Sequence, residues 1–436
     1  PIMDNNHLRR AFLFESVLAR FSFTVVLSFI LIWGSSCSST SSLQSSSKKL
    51  PYNWEATYLH PELICYHLSA DSSALYFKLR AEELLYTRKD PAQPFSAEVQ
   101  FEIMLISADF LYTDTLVFKY SDINESQDQR DLIGRHDIAL PEGKAYFLDI
   151  TVKDLNRRLS VETSLLVKKD DTSSRQNFLL TNSQTLAPLF HDNVAPGETV
   201  YITSERYTGS RLDLQASRHK VALPPPPDSF SKPRYITSLE EPIVPMIESF
   251  GTFELNADSG MHVFHVPETE SHFTVYAWNA TYPSITTVDG MIQSLRYITS
   301  RPEFERISKS NYPKKELDDF WIDIGGSKDR GRELIRIYYQ RVQEANYYFS
   351  GITEGWRTDR GLIHIVFGNP NKIEISSGQE TWIYGEESNL NSLVFHFYKV
   401  ENPFSDQVYR LERNPAFEPG WERALSCWRN GRIYSD

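Results

Sequence analysis

Cysteine is scarce: Cys37, Cys65 and Cys427 are the only three in 436 residues. That excludes a disulfide-rich scaffold, and Cys65 and Cys427, in different expected domains, read as small apolar residues rather than halves of a cystine. Basic charge is in deficit too. With 45 Lys and Arg against 57 Asp and Glu, a formal charge of −12 and no long basic run, the chain lacks the footprint a general nucleic-acid binder uses to neutralise phosphates. Long apolar runs are missing with one exception, FSFTVVLSFILIW (21–33), which is too short to span a bilayer comfortably. Catalytic signatures are missing as well: there is no HExxH, no GxSxG, no phosphate-cradling Gly-rich loop and no CxxC pair. No cofactor and no metal are therefore expected.

What is there begins with a processing segment. Arg9, Arg10 and Arg20 precede the apolar run, and the small residues of GSSC end at Cys37, with Met3 read as the start of translation. The arrangement resembles a bacterial lipoprotein signal in the relaxed form used by Bacteroidetes, in which the Cys becomes the first mature residue and carries the lipid, palmitate included. The other reading is a secretory signal cut nearby, with Cys37 incidental. Residues 1–36 are thus taken as signal peptide and Cys37 as lipid attachment site, followed by a polar Ser-rich tether over 37–50 that cannot bury anything.

Residues 51–172 carry strand periodicity. ALYFKLR, SAEVQFEIMLI, DTLVFKY, KAYFLDITVKDL and RLSVETSLLV alternate or run apolar, with turn residues between them, which predicts a β-sandwich. The segment from Leu140 to Arg158 is similar to the penultimate hairpin of an immunoglobulin-like domain. Pro-Glu-Gly makes the turn, Tyr146, Leu148, Ile150 and Val152 share a face, and Asp154 and Asn156 serve the next turn. A second β-rich module is expected over 173–285, interrupted by LPPPPDSFSKP (223–233), a polyproline connector that no central strand accommodates.

Beyond about residue 286 the texture turns helical, giving an α+β domain over 286–436. RGRELIRIYYQRVQEANYYFS (330–350) has an i, i+3, i+4 apolar stripe with Ser327 as N-cap, and it should pack on an antiparallel meander. The stretch EGWRTDRGLIHIVF is read as a helix-to-strand corner. Gly355 and Gly361 would allow the bends, Trp356 would anchor the corner, Thr358 and Asp359 would accept loop N–H groups, and LIHIVF (362–367) would be a strand. Arg360 would pair with Asp359 or Glu354, or face a partner. His262 and His265, three apart in a strand, point to opposite faces and do not share a metal easily; Asp318-Asp319 and Glu386-Glu387 read as solvated.

The segments DDFW, YYQRVQEANYYFS, EGWRTDRGLIHIVFGNPNKIE, ETWIYG and WERALSCWRNG, with the motif intact as Gly355, Trp356, Arg357, Thr358 and Asp359, resemble the GWxTD-domain family of Bacteroidetes envelope lipoproteins. The resemblance implies architecture and address rather than a reaction. The resulting expectation is a multidomain chain, two immunoglobulin-like β-sandwich modules followed by the α+β domain, held in the outer membrane by its lipid, with the periplasmic face favoured. It would act without catalysis as scaffold or accessory subunit of an envelope assembly, with protein partners and no nucleic acid. Two alternatives stand beside it. A glycan binder would expose several of Trp321, Trp356, Trp382, Trp421 and Trp428, and a periplasmic hydrolase would gather Asp359, His364 and His396 in one cleft.

Overall fold

The computed structural model describes Tyr52 and residues 58–434, apart from 126–127, 219–220, 250–251, 268, 270, 377 and 386–391. The segments read as signal peptide (1–36) and tether (37–50), Cys37 included, and Glu386-Glu387 lie outside the described residues. The chain is multidomain and mostly β, with several antiparallel sheets and its helices gathered toward the C-terminus.

Seven strands build the first module: β1 (Glu62–His67), β2 (Ser72–Arg80), β3 (Ser96–Ser107), β4 (Thr113–Ile123), β5 (Asp131–Ala139), β6 (Ala145–Asp154) and β7 (Leu159–Lys168). They form two antiparallel sheets, ordered β1-β2-β5 and β4-β3-β6-β7. Alternation decides which side chains go inside. On β3 the odd positions from Ala97 to Leu105 are buried, and in register across β6 stand Val152, Ile150 and Leu148. Leu75, Phe77 and Leu79 of β2 close this core from the other sheet, with the rings of Phe77 and Phe101 centred 4.5 Å apart. Tyr146 begins β6 with its ring inside and its hydroxyl donating to the Pro141 carbonyl at 2.9 Å. Asp154 accepts the N–H groups of Leu85, Asn156 and Arg157, so the predicted turn chemistry is realised.

The alternation argument did not find β1 or β5. β5 carries Gly134, which reads as a strand breaker, yet a Cβ there would lie 2.1 Å from the tip of Phe77. The absent side chain is the space the Phe77 ring fills.

Among the described residues the second module holds nine short strands: β8 (Leu179–Asn182), β9 (Asn193–Val194), β10 (Thr199–Thr203), β11 (Asp213–Ser217), β12 (Val244–Pro245), β13 (Glu248–Ser249), β14 (Thr252–Asn256), β15 (Gly260–His265) and β16 (His272–Ala277). They make sheets β13-β14-β10-β8 and β12-β11-β15-β16-β9 around Leu180, Val200, Leu255, Phe264 and Phe273. The proline run lies outside all of these strands. Two of its carbonyls are acceptors for the C-terminal domain: Pro225 O takes Arg413 Nη2 at 2.9 Å and Pro227 O takes the Asn414 N–H at 3.0 Å. The connector is thus a docked strap.

The C-terminal domain starts with helices Val288–Ser294, Arg301–Ser308 and Pro313–Gly325, then the 22-residue helix Lys328–Phe349 capped by Ser327. Leu334, Tyr338, Val342, Ala345 and Phe349 form its buried stripe. The meander β17 (Lys372–Ile375), β18 (Gln379–Tyr384), β19 (Leu393–Lys399), β20 (Tyr409–Leu411) faces it, and helix Glu418–Arg429 closes the chain. One expectation is overturned here. LIHIVF is part of the helix Asp359–Phe367, and the first meander strand is KIEI instead. All nine residues of that helix are buried, and a helix buried on every side presents the same unbroken apolar run as a buried strand.

Direct bonds tie the modules together. Arg206 pairs with Glu142 at 2.5 Å, the Glu205 N–H donates to Tyr66 Oη at 2.8 Å, and Tyr276 Oη donates to the Phe404 carbonyl at 2.7 Å. Urea unfolding should separate two kinds of contribution in the first module. Phe101→Ala is expected to cost about 3–5 kcal/mol through the cavity it leaves, and Tyr146→Phe only about 1 kcal/mol through the lost hydrogen bond.

Candidate functional site

The long helix ends at Phe349, and the chain returns through a short 3-10 turn, Gly355–Arg357, to the helix that Thr358 caps. Thr358 Oγ1 accepts the Gly361 N–H at 3.0 Å while its hydroxyl donates to the Gly355 carbonyl at 2.8 Å. The motif is therefore a helix-to-helix corner, not the helix-to-strand corner the sequence suggested. Its glycines are there for space rather than for unusual dihedrals. A Cβ on Gly355 would stand 1.9 Å from the Ala345 carbonyl oxygen, and one on Gly361 would stand 2.0 Å from that of Gly355. The turn is pressed directly against the long helix and the new helix against the turn.

Trp356 is buried, as its anchoring role requires, and its backbone is held from two sides. Its N–H donates to Asn346 Oδ1 at 3.1 Å, and its carbonyl accepts the Tyr297 hydroxyl at 2.8 Å. The Arg357 guanidinium lies 4.4 Å over the indole and pairs with Glu354 at 2.5 Å.

Asp359, in the first turn where the helix dipole favours a carboxylate, receives Arg413 through both oxygens, at 2.5 and 3.1 Å, and the Leu411 N–H at 2.8 Å. The side chains of this pair are 1% and 5% exposed. Arg360 does not pair with Asp359 or Glu354, nor does it face solvent. It meets Glu380 of β18 at 2.7 Å, both side chains 3% exposed, donates to the Gln407 carbonyl, and lies between the rings of Phe349 and Tyr409. Glu380 also accepts Trp382 Nε1 at 3.1 Å and the Tyr52 hydroxyl at 3.0 Å. These partners come from several distant parts of the chain, and no sequence spacing signalled them.

The hydrolytic trio is not assembled. Asp359 faces Arg413, whereas His364, five residues on and so on another side of the helix, meets Glu344 of the long helix at 2.9 Å. His396 of β19 contacts Thr381 Oγ1 at 3.0 Å. A shallow, open cleft does lie over the motif, between Asp359, Thr358, Arg357 and Tyr409 on one side and Pro224 of the strap and Tyr235 on the other. Neither histidine lines it. The Tyr235 hydroxyl is buried there without a hydrogen-bond partner, and burial, with Asp359 nearby, holds that phenol above its ordinary range. All five C-terminal tryptophans are at most 4% exposed, so they are core rather than a stacking platform. Among the described residues no group of three or more His, Cys, Asp or Glu is placed to hold a metal ion, and no helix is long and apolar enough to cross a membrane. Cys65 and Cys427 are both free thiols, the first buried and the second half-buried.

Two experiments probe this site. Arg360→Met strands the Glu380 carboxylate in the core and should cost about 3–5 kcal/mol in urea unfolding, with the Arg360→Met/Glu380→Leu double variant closer to wild type than the single one. The second is pH dependence. Burial drives His364 below the ordinary imidazole value against the pull of Glu344, and drives His67 down to about 4. Below pH 6.5 the unfolded chain then binds protons that the folded one refuses, so stability present above 6.5 is lost as pH falls toward 4. The thermal midpoint should drop over that window, and less steeply in His364→Gln; a flat profile would contradict the assignment.

Comparison with known proteins agrees with the motif. Residues 260–430 match the model of the GWxTD domain family. The match begins at the first residue of β15, and β15 and β16 are the strands whose Met261, Val263 and Tyr276 pack against Ile352, Phe404 and Val408 of the C-terminal domain. A search of curated proteins found no match. Among solved structures, the β-glucuronidase of Bacteroides uniformis aligns at 9% identity over 25% of this chain and 13% of its own, with a TM-score of 0.17. A putative β-galactosidase from Bacteroides fragilis aligns at 10% identity over 33% of this chain and 18% of its own, TM-score 0.16. The chain thus spans under a fifth of either enzyme, and likeness at this level carries no argument about activity.

Proposed function

Because residues 260–430 form a GWxTD domain, we propose that the protein is a non-catalytic scaffold or accessory subunit of a cell-envelope assembly, lipid-anchored through Cys37 in the outer membrane and facing the periplasm. The observation that carries the reading is the state of the motif itself. Each of its charged side chains is committed to an internal partner: Asp359 to Arg413, Arg360 to Glu380, Arg357 to Glu354. A carboxylate held by a bidentate guanidinium and a backbone N–H is a fixed strut, poorly suited to act as base or nucleophile. The motif helix, the meander and the proline strap are joined at that strut.

The first module is read as immunoglobulin-like. Its order, β1-β2-β5 against β4-β3-β6-β7, and the Tyr146 hydroxyl on the Pro141 carbonyl at the start of the penultimate strand both fit that architecture. Modules bonded to one another suit holding a partner in a fixed position, since little order has to be gained on binding.

The test is affinity purification of the tagged protein from native membranes in mild detergent, with mass spectrometry of the co-purifying proteins and of the mature N-terminus. The expected result is stoichiometric recovery of one or more envelope proteins and a diacylglycerol-modified Cys37. Recovery of the protein alone at several detergent strengths would overturn the scaffold reading, and an unmodified N-terminus elsewhere than Cys37 would overturn the anchor.

A further inference from the structure

Tyr52 precedes the first strand of the first module, yet its side chain is seated in the C-terminal domain. Its ring lies 4.9 Å from that of Phe349, edge-on, 5.4 Å from Tyr348 and 5.8 Å from Trp382. Its hydroxyl donates at 3.0 Å to the same Glu380 oxygen that receives Arg360. Burial, reinforced by the Glu380 charge, holds the phenol above its ordinary range, so it stays a donor at any physiological pH.

The parts of this socket are complementary to one chemical group. Three aromatic side chains contact the Tyr52 ring, and the carboxylate that accepts its hydroxyl has Trp382 and Arg360 as its other donors. A phenylalanine would fill the same space and leave one Glu380 lone pair in a buried site without its donor. Tyr52 and Glu380 are 328 positions apart in the chain, so the contact is a docking of one segment on a domain assembled elsewhere.

We propose that the socket of Tyr348, Phe349, Trp382 and Glu380 is a recognition site for a tyrosine side chain, occupied in cis by Tyr52 as a detachable latch and open, once the latch leaves, to a tyrosine-bearing segment of a protein partner. Seated, the latch completes the core beside Arg360. Released, it uncovers an aromatic surface with a single buried acceptor, and a partner reads that surface by supplying a phenol in the same place. Cis occupancy weakens any competitor by the reciprocal of the fraction of time the latch is open. The proposal does not depend on the scaffold reading or on the lipid anchor.

The experiment uses the full chain and 4-methylphenol, the tyrosine side chain alone, as probe. Tyr52→Ala should lower the thermal midpoint, bind 4-methylphenol saturably at least about tenfold more tightly than wild type, and regain part of its lost midpoint when the probe is bound. Tyr52→Phe should keep the midpoint closer to wild type. In wild type carrying 3-fluorotyrosine at position 52, probe concentrations well above those that saturate Tyr52→Ala should shift the fluorine resonance toward that of an exposed tyrosine. A Tyr52→Ala variant that folds with an unchanged midpoint and no saturable binding would overturn the socket. A fluorine resonance that never moves while the variant binds would overturn the latch and leave Tyr52 a fixed part of the core.

Discussion

Two guanidinium–carboxylate pairs at the first turn of one helix carry the organisation of the C-terminal domain. Asp359 and Arg360 are adjacent in sequence and point apart. One takes Arg413 from beyond β20, the other takes Glu380 from β18, and all four side chains are nearly free of solvent. A buried ion pair of this kind contributes little net stability over a well-packed apolar pair, but it makes wrong arrangements expensive, because any shift in register leaves a charge unpaired in a low-dielectric core. The meander can therefore sit on the motif helix in only one way.

Other parts of the molecule attach to the same two pairs. Arg413 uses Nη2 both for Asp359 and for the Pro225 carbonyl, which fastens the proline strap. Glu380 uses one oxygen both for Arg360 and for Tyr52, which lies ahead of the first module in the chain. Polar groups from the long helix complete the arrangement, with Asn346 holding the Trp356 backbone and Glu344 holding His364. An aromatic core this large would otherwise tolerate several packings of similar energy; the directional bonds select one.

The strands whose two faces differ were legible in the sequence, because alternation is a local property of the chain. β2, β3, β4, β6 and β7 were found that way, and so were the stripe of the long helix and its Ser327 cap. β1 and β5 were not, since β5 includes a glycine whose purpose is to admit Phe77 from a neighbouring strand. LIHIVF was misread because a helix buried on all sides has no polar face to betray its period. For the site, the sequence identified Trp356 as an anchor and Thr358 and Asp359 as acceptors, but it assigned Arg360 the wrong partner and offered no sign of Arg413, Glu380 or Tyr52.

The sequence by itself determined the strand-rich front, the helical and aromatic back, the scarcity of disulfide and basic character, and the motif within residues 260–430, the stretch that matches the GWxTD domain model. Only the tertiary structure decided that the motif turns one helix into another, that its charges are neutralised from within, and that a proline strap and a tyrosine from the far end of the chain close on it. The physical reason is range. Periodicity, caps and turns act over a few residues and are written in order, whereas a buried charge finds its counter-charge through folding, across separations of 20 and 54 positions that no local pattern encodes.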